Sequence, residues 1–291
     1  MTILPDLVLT SRADQCWQYS GIDSLEECLD KEFFLKYPHE ISYQYNSRGF
    51  RDAEWPKTLT ELANAIWCVG DSFTVGLGSP VEHTWPNVLQ QRTKQRTINV
   101  SMDGASNQWI ARQAVNILQA AQPRFLVVQW SYLHRREDPN TSLCDEDRRL
   151  FAERLDFDKD LENLLSCISS IEQNKNNCQV IYSIIPGTGL SFNWAKTWEQ
   201  IKDLSWPSTA PRQADDVPTW ISDELKTLHN LDLNAAIKLD EMIKVKQYDR
   251  ARDSHHYGLK TSHWFCQQII DCSSQLNAND SVLPVQQPLV D

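Results

Sequence analysis

Two short stretches of the chain carry residue types able to do chemistry together. The first reads Ile66-Trp67-Cys68-Val69-Gly70-Asp71-Ser72-Phe73-Thr74-Val75-Gly76. An apolar run ends abruptly at Gly70-Asp71-Ser72, so the serine falls just past a strand end, on a tight turn that can hold its hydroxyl in the open. The glycine supplies turn geometry. Phe73-Thr74-Val75 then starts a helix whose N–H groups favour a negative charge developing beside Ser72. The same tripeptide is also ordinary turn chemistry, and a serine is a poor nucleophile until a base takes its proton.

The base is to be sought among seven histidines. One cluster stands out, Asp253-Ser254-His255-His256-Tyr257-Gly258. Asp253 precedes His256 by three residues, a spacing that lets the carboxylate reach the imidazole Nδ1–H from the same short segment. The competing reading makes Asp253 a cap for the helix that follows, with the histidines on the surface. His255 and His263 are the rival bases. His255 lacks the three-residue spacing from Asp253, and His263 falls inside the helix expected from Thr261 onward, whose Trp264, Phe265, Ile269 and Ile270 are available to pack.

The two stretches taken together, in this order, resemble the SGNH, or GDSL-type, hydrolase superfamily: Gly70-Asp71-Ser72-Phe73 is similar to its first block, and Asp253-x-x-His256 to its last. The resemblance implies a Ser72–His256–Asp253 triad and hydrolysis of acyl esters of sugars, lipids or thiols. It also implies an oxyanion hole made by the N–H of Ser72, the N–H of a glycine after the second strand, and an asparagine side chain. Arg96–Met102 reads as that strand, followed by Asp103-Gly104-Ala105-Ser106-Asn107 and a helical pattern, which makes Gly104 the glycine. The third block is broken. After the strand Arg124–Trp130 the chain reads Ser131-Tyr132-Leu133-His134-Arg135-Arg136-Glu137, without the expected asparagine. Asn107 is the leading substitute, with Ser131, Tyr132 and the Trp130 indole behind it. Asn107 also suits a plain helix cap. Arg135, and with it Arg136, stands where a guanidinium could bind a carboxylate, a phosphate or a sugar, or simply pair with a surface carboxylate. Trp130 is a further candidate substrate contact.

These residues need a scaffold that brings distant segments to one edge. From 65 to 130 the pattern alternates strand, helix, strand, helix, strand, which implies a parallel sheet with helices on both faces. Trp85-Pro86 opens one helix, residues 156–175 form another with Leu161, Leu164, Leu165, Ile168 and Ile171 inward, and Gln179–Ile185 is the fourth strand. Residues 222–247 read as largely helical. The expected fold is α/β, a three-layer α/β/α sandwich of the flavodoxin-like SGNH type with a parallel central sheet, the resemblance covering 65–275. The organisation is a lead-in segment at 1–60, the hydrolase-like domain at 61–280 with a Trp- and Pro-rich insertion at 188–220, and a tail at 281–291. In the lead-in, Asp23–Leu29 reads as a short helix and Ile41–Gln44 as an edge strand. The stretch Asn46-Ser47-Arg48-Gly49-Phe50-Arg51 resembles a segment many SGNH-like proteins carry to pack the lead-in across the sheet edge; Arg48 and Arg51 could instead reach the site.

Composition narrows the partners. At 291 residues the chain is long enough for a large core. A formal net charge of −11 disfavours nucleic acid and anionic membrane as partners, because both need a basic patch. No stretch approaches the roughly 20 apolar residues of a membrane span. The opening residues lack a basic n-region and an apolar core, so the expectation is no signal peptide and a cytoplasmic protein, released if at all by lysis or in a particle. Eight cysteines show no Cys-x-x-Cys pair and no zinc spacing, so reduced thiols, no metal and no cofactor are expected. Eleven tryptophans, among them Trp194, Trp198, Trp206 and Trp220, suit stacking on sugar rings or ordinary packing. The partner expected is thus a small acyl ester, or an acylated carbohydrate; the oligomeric state is open. An O-acyltransferase on the same site, and a binding or structural module that keeps the fold without catalysis, are the alternative readings.

Overall fold

The computed structural model describes residues 13–14, 16–17, 41–137, 157–185 and 241–273. Two short strands of the lead-in, β1 (Cys16–Trp17) and β2 (Tyr43–Gln44), pair antiparallel in a small sheet of their own. Helix α1 (Leu59–Asn64) is capped by Thr58, whose hydroxyl accepts from the N–H of Glu61. Strand β3 (Ile66–Gly70) leads into the four-residue helix α2 (Ser72–Val75). Then follow α3 (Trp85–Thr93) with proline in its first turn, β4 (Thr97–Ser101), α4 (Asn107–Ala120), β5 (Phe125–Trp130), α5 (Phe157–Asn174), β6 (Gln179–Ile184), β7 (Ile243–Lys244) and α6 (Leu259–Asp271).

The main sheet has five strands, all parallel, in the order β4-β3-β5-β6-β7. Numbered from β3, that is 2-1-3-4-5, the flavodoxin-like order, with its switch point between β3 and β5. Strands buried on both faces should be largely apolar, as β3 and β5 are; the edge strand β4 is also buried at every position but carries Thr97, Asn99 and Ser101. Their side chains alternate between two cores. Trp67, Val69, Leu126, Val128 and Trp130 join Trp109, Ile110, Ile117, Leu161, Leu164 and Ile171 from α4 and α5. Ile66, Cys68, Phe125 and Val127 join Val88, Leu89, Phe265, Cys266 and Ile269 from α3 and α6. This is the α/β/α sandwich expected from the alternating pattern.

One element differs from the sequence reading. Of the stretch expected to be largely helical, 222–247, only residues 241–247 are described, and there Ile243–Lys244 form β7, which pairs parallel with β6 through Ser183↔Ile243 and Ile184↔Lys244. Two paired residues are too few to show an alternating pattern, and only their place beside β6 makes them a strand. The expected helix at Asp23–Leu29, the insertion at 188–220 and the tail lie outside the described residues, as do Cys28 and Cys144. Cys68, Cys167, Cys178 and Cys266 are buried free thiols, and Cys16 and Cys272 are exposed ones.

The lead-in runs along the free edge of β4. The N–H of Asn99 donates to Asp52 Oδ2 at 3.2 Å, and Asn99 Nδ2 donates to the carbonyls of Arg51 and Thr74. Arg51 does not reach toward the sheet's carboxyl edge as a free cation. Its fully buried guanidinium donates to the carbonyls of Gly76 (2.6 Å), Ser79 (2.8 Å), Val75 (3.2 Å) and Ser42 (3.3 Å), and lies over the Tyr43 ring. Arg48 lies over Trp55.

Candidate active site

Ser72 is the first residue of α2, directly after the N-cap Asp71. The short helix forms because Asp71 Oδ1 accepts the N–H of Phe73 at 3.0 Å and Gly76 ends it in the left-handed conformation. Gly70 is needed here for space rather than for turn geometry. It closes β3, and a Cβ on it would lie 2.1 Å from Thr74 Oγ1. The two backbone N–H groups that fold back onto the Ser72 carbonyl, from Gly76 (2.9 Å) and Leu77 (3.3 Å), hold the turn beneath the serine.

Asp253 and His256 stand in the loop before α6. His256 Nδ1 lies 2.5 Å from Asp253 Oδ2, and the N–H groups of His255 and His256 both donate to Asp253 Oδ1 at 3.0 Å. Burial pushes the Asp253 carboxyl up, but the hydrogen bond and charge of His256, with those two N–H groups, outweigh it and hold it below the usual carboxylate range. An ionised carboxylate only accepts, so it keeps the imidazole proton on Nδ1 and leaves the Nε2 lone pair for another proton. Nε2 is buried and has no hydrogen-bond partner among the described residues. The capping role considered for Asp253 belongs to another residue. Asp249 accepts from the N–H of Lys260 (3.0 Å) and of Thr261 (2.8 Å) at the start of α6.

The two segments meet at the carboxyl edge of the sheet. The ring of Phe73, the neighbour of Ser72, lies 4.6 Å from the His256 ring, 5.3 Å from His255 and 4.9 Å from Tyr257, centroid to centroid. The turn after α2 also backs onto the acid. A Cβ on Gly78 would come 2.7 Å from Asp253 Cγ, and Gly78 has a positive φ of 71°. Of the rival bases, His255 is exposed and sits 3.2 Å from Tyr132 Oη through Nε2. His263 is on α6, its carbonyl accepting from Arg92.

The loop after β5 completes the edge. Ser131 Oγ donates to Asp71 Oδ2 at 2.6 Å, and Arg135 Nη1 approaches the same oxygen at 3.5 Å while its guanidinium lies over the Tyr132 ring. Asp71 is wholly buried. Burial drives its carboxyl up, and Arg135, Ser131 and the Phe73 N–H only partly offset this, so it stays above its ordinary value. Asn107, buried at the start of α4, ties this loop down. Its Oδ1 accepts from the Ser131 N–H (3.0 Å), its Nδ2 donates to the Tyr132 carbonyl (3.0 Å), and its own N–H donates to the Arg135 carbonyl (2.9 Å). An amide NH₂ has two hydrogens, and the second has no partner among the described residues. Ser106, not Asn107, is the helix N-cap. Gly104 follows β4 with a positive φ of 68°, so its backbone is in a conformation that side chains resist. Trp130 is sealed in the core, stacked on Tyr182 at 6.1 Å, and offers no face to a ligand. Arg136 pairs with Asp160 and Glu137 with Arg112. Among the described residues no group of three or more His, Cys, Asp or Glu could hold a metal, and no helix is long and apolar enough to cross a membrane.

No family model matches the sequence, and neither does any curated protein. Solved structures do match. One is a candidate lipolytic protein of the G-D-S-L family from Desulfitobacterium hafniense, 14% identical over 71% of this chain and 97% of the other, with a TM-score of 0.39. Another is a lipase/acylhydrolase from Enterococcus faecalis, 16% identical over 77% and 100%, TM-score 0.38. A third is a family two carbohydrate esterase from Clostridium thermocellum solved with cellohexaose, 12% identical over 75% and 65%, TM-score 0.42.

Several residues around the carboxyl edge of the sheet escaped the sequence reading, and one of them left a signal. Gln129 is the polar residue within the otherwise apolar strand Phe125–Trp130, fully buried, and a buried amide must find partners. The joint role of Ser131 and Asp71 left none, because it depends on two loops sixty residues apart meeting at the switch point.

Proposed function

We propose that the protein is a serine ester hydrolase in which Ser72 is the nucleophile, His256 the general base and Asp253 the residue that orients the base. The observation that supports this most is the His256 side chain. Its Nδ1 is held by a buried carboxylate, its Nε2 is buried without a partner among the described residues, and its ring lies on Phe73, next to Ser72. An imidazole so polarised is ready to accept a proton, and the hydrogen bond to the nucleophile commonly tightens only when substrate binds.

In this reading Ser72 Oγ attacks the acyl carbonyl as its proton passes to His256 Nε2. The charge on the tetrahedral oxygen is met by the N–H groups of Ser72 and Gly104 and by the second amide hydrogen of Asn107. The intermediate collapses, the C–O bond to the alcohol breaks, and the alcohol leaves with the proton from His256. Water then repeats the sequence on the acyl-enzyme and frees the acid. Each oxyanion donor is worth ~100- to 1,000-fold in rate. Arg135, 17% exposed at its side chain beside Tyr132, is the charged group that would meet the polar part of the substrate. A small acyl group, carried on a carbohydrate, is the substrate favoured by the tryptophan-rich sequence of 188–220.

The test uses p-nitrophenyl acetate and a fluorophosphonate probe on the wild type and on Ser72→Ala. The wild type is expected to turn over the ester and take one label, and the variant to do neither. A folded wild type that resists both reagents would refute the proposal and leave a non-catalytic module.

A further inference from the structure

We infer that Gln129 is a positioning residue whose single buried amide sets the nucleophile segment and the base segment in register. This rests on the serine hydrolase reading for its kinetic consequence but not for its geometry. Helix α2 has four residues, too few to hold its own shape without tertiary contacts. Ser72 is its first residue and Thr74 its third. Thr74 Oγ1 donates to Gln129 Oε1 at 2.9 Å, and on the other side of the amide Gln129 Nε2 donates to Tyr257 Oη at 3.1 Å. Tyr257 directly follows His256, and its carbonyl in turn accepts from Ser79 Oγ at 2.9 Å, in the turn after α2.

All members of this chain are buried: Thr74, Gln129 and Ser79 show no exposed surface and Tyr257 3%. Both ends are closely packed. Gly70 has no Cβ, which is what lets Thr74 approach β5, since a Cβ there would lie 3.2 Å from the Gln129 carbonyl as well as against the threonine. Tyr257 is wedged between Phe73 and Phe265. The sheet thus carries one amide at the switch point between β3 and β5, with the residue two past the serine on its oxygen and the residue after the histidine on its nitrogen. An apolar side chain at 129 would leave the threonine and tyrosine hydroxyls buried and unpaired, and each would seek a partner by moving its own segment. A displacement of about 1 Å between reacting groups costs on the order of 100-fold in rate.

The experiment compares Thr74→Val, Tyr257→Phe, their double variant and Thr74→Ser in the full chain. Two readouts are taken, phosphonylation of Ser72 with p-nitrophenyl acetate kinetics, and NMR of the His256 ring nitrogens. Each single variant is expected to lower kcat and the labelling rate about 10-fold with KM within about 2-fold of wild type. Because both act through one amide, the double variant should be little worse than the poorer single, and Thr74→Ser, which keeps the hydroxyl, should recover most of the rate. Both single variants should also move the His256 ring signals, although Thr74 lies on a different element. Additive losses, or His256 signals unmoved by Thr74→Val, overturn the inference. A wild type that neither labels nor turns over would sink the esterase reading alone, since the NMR result still decides whether the amide couples the two segments.

Discussion

At the scale of single residues, charge burial decides most of what happens around Ser72. Asp71 has no exposed surface, caps α2 through Oδ1 and takes Ser131 and Arg135 on Oδ2. Removing a partner from such a group leaves a buried charge with less compensation. Arg135→Met is therefore expected to destabilise the fold by about 1–3 kcal/mol at pH 8. The carboxyl is already raised in the folded state, and without Arg135 it rises further. A group raised on folding stabilises the native state below its unfolded pKa and loses that contribution as pH climbs through the folded value. The penalty should thus shrink between pH 8 and pH 5, because falling pH favours protonation of the orphaned carboxyl. Urea unfolding of both proteins at the two pH values checks this, and an equal or larger penalty at pH 5 would contradict it. The Gly-Asp-Ser signature was legible in the chain. The environment that makes its aspartate a buried partner of β5's loop was not, because Ser131 and Arg135 are distant in sequence.

At the scale of elements, the site is held by close approaches between short turns rather than by long helices. Gly78 lies against Asp253 in the left-handed region, with no room for a methyl group. Gly78→Ala combines backbone strain with a push on the acid that orients His256. We expect it to cut kcat by about 100-fold while the protein still folds, its melting temperature falling by a few degrees. Circular dichroism melts beside ester-hydrolysis kinetics would show it, and a fully active variant would mean that Asp253 does not depend on that wall. The helices and inner strands were readable because each carries a continuous apolar stripe or run, as in α4 with Trp109, Ile110, Ala114, Ile117 and Leu118 all buried. Strand β7 was unreadable for the opposite reason: a two-residue edge strand has no period and exists by pairing with β6.

At the scale of the whole molecule, the lead-in matters through its charges on the sheet edge. Asp52 accepts from Arg96 at 2.8 Å and from the Asn99 N–H, yet burial dominates and pushes its carboxyl up to about 6. The folded state then binds this proton more tightly than the unfolded state. Its contribution favours folding below about pH 4 and is lost as pH rises through 6. Asp253 has the opposite sign: held low, it contributes above the ordinary carboxylate pKa and loses that contribution as pH falls. Asp52→Asn should remove the alkaline-side loss, so the melting temperature of the variant should fall less than that of wild type between pH 4.5 and pH 7. Parallel slopes in a calorimetric pH series would refute it. The sequence by itself determined the layers and the candidate chemistry, since hydrophobic periodicity dictates strands and helices, and Asp253-x-x-His256 can close within one loop. Tertiary structure alone decided which groups surround Ser72. The order 2-1-3-4-5 puts the ends of β3 and β5 side by side at the switch point, and that adjacency gives Asp71 its Ser131, Asn107 its loop and Gln129 its two hydroxyls. Contacts of that kind come from chain topology, which local residue types do not encode.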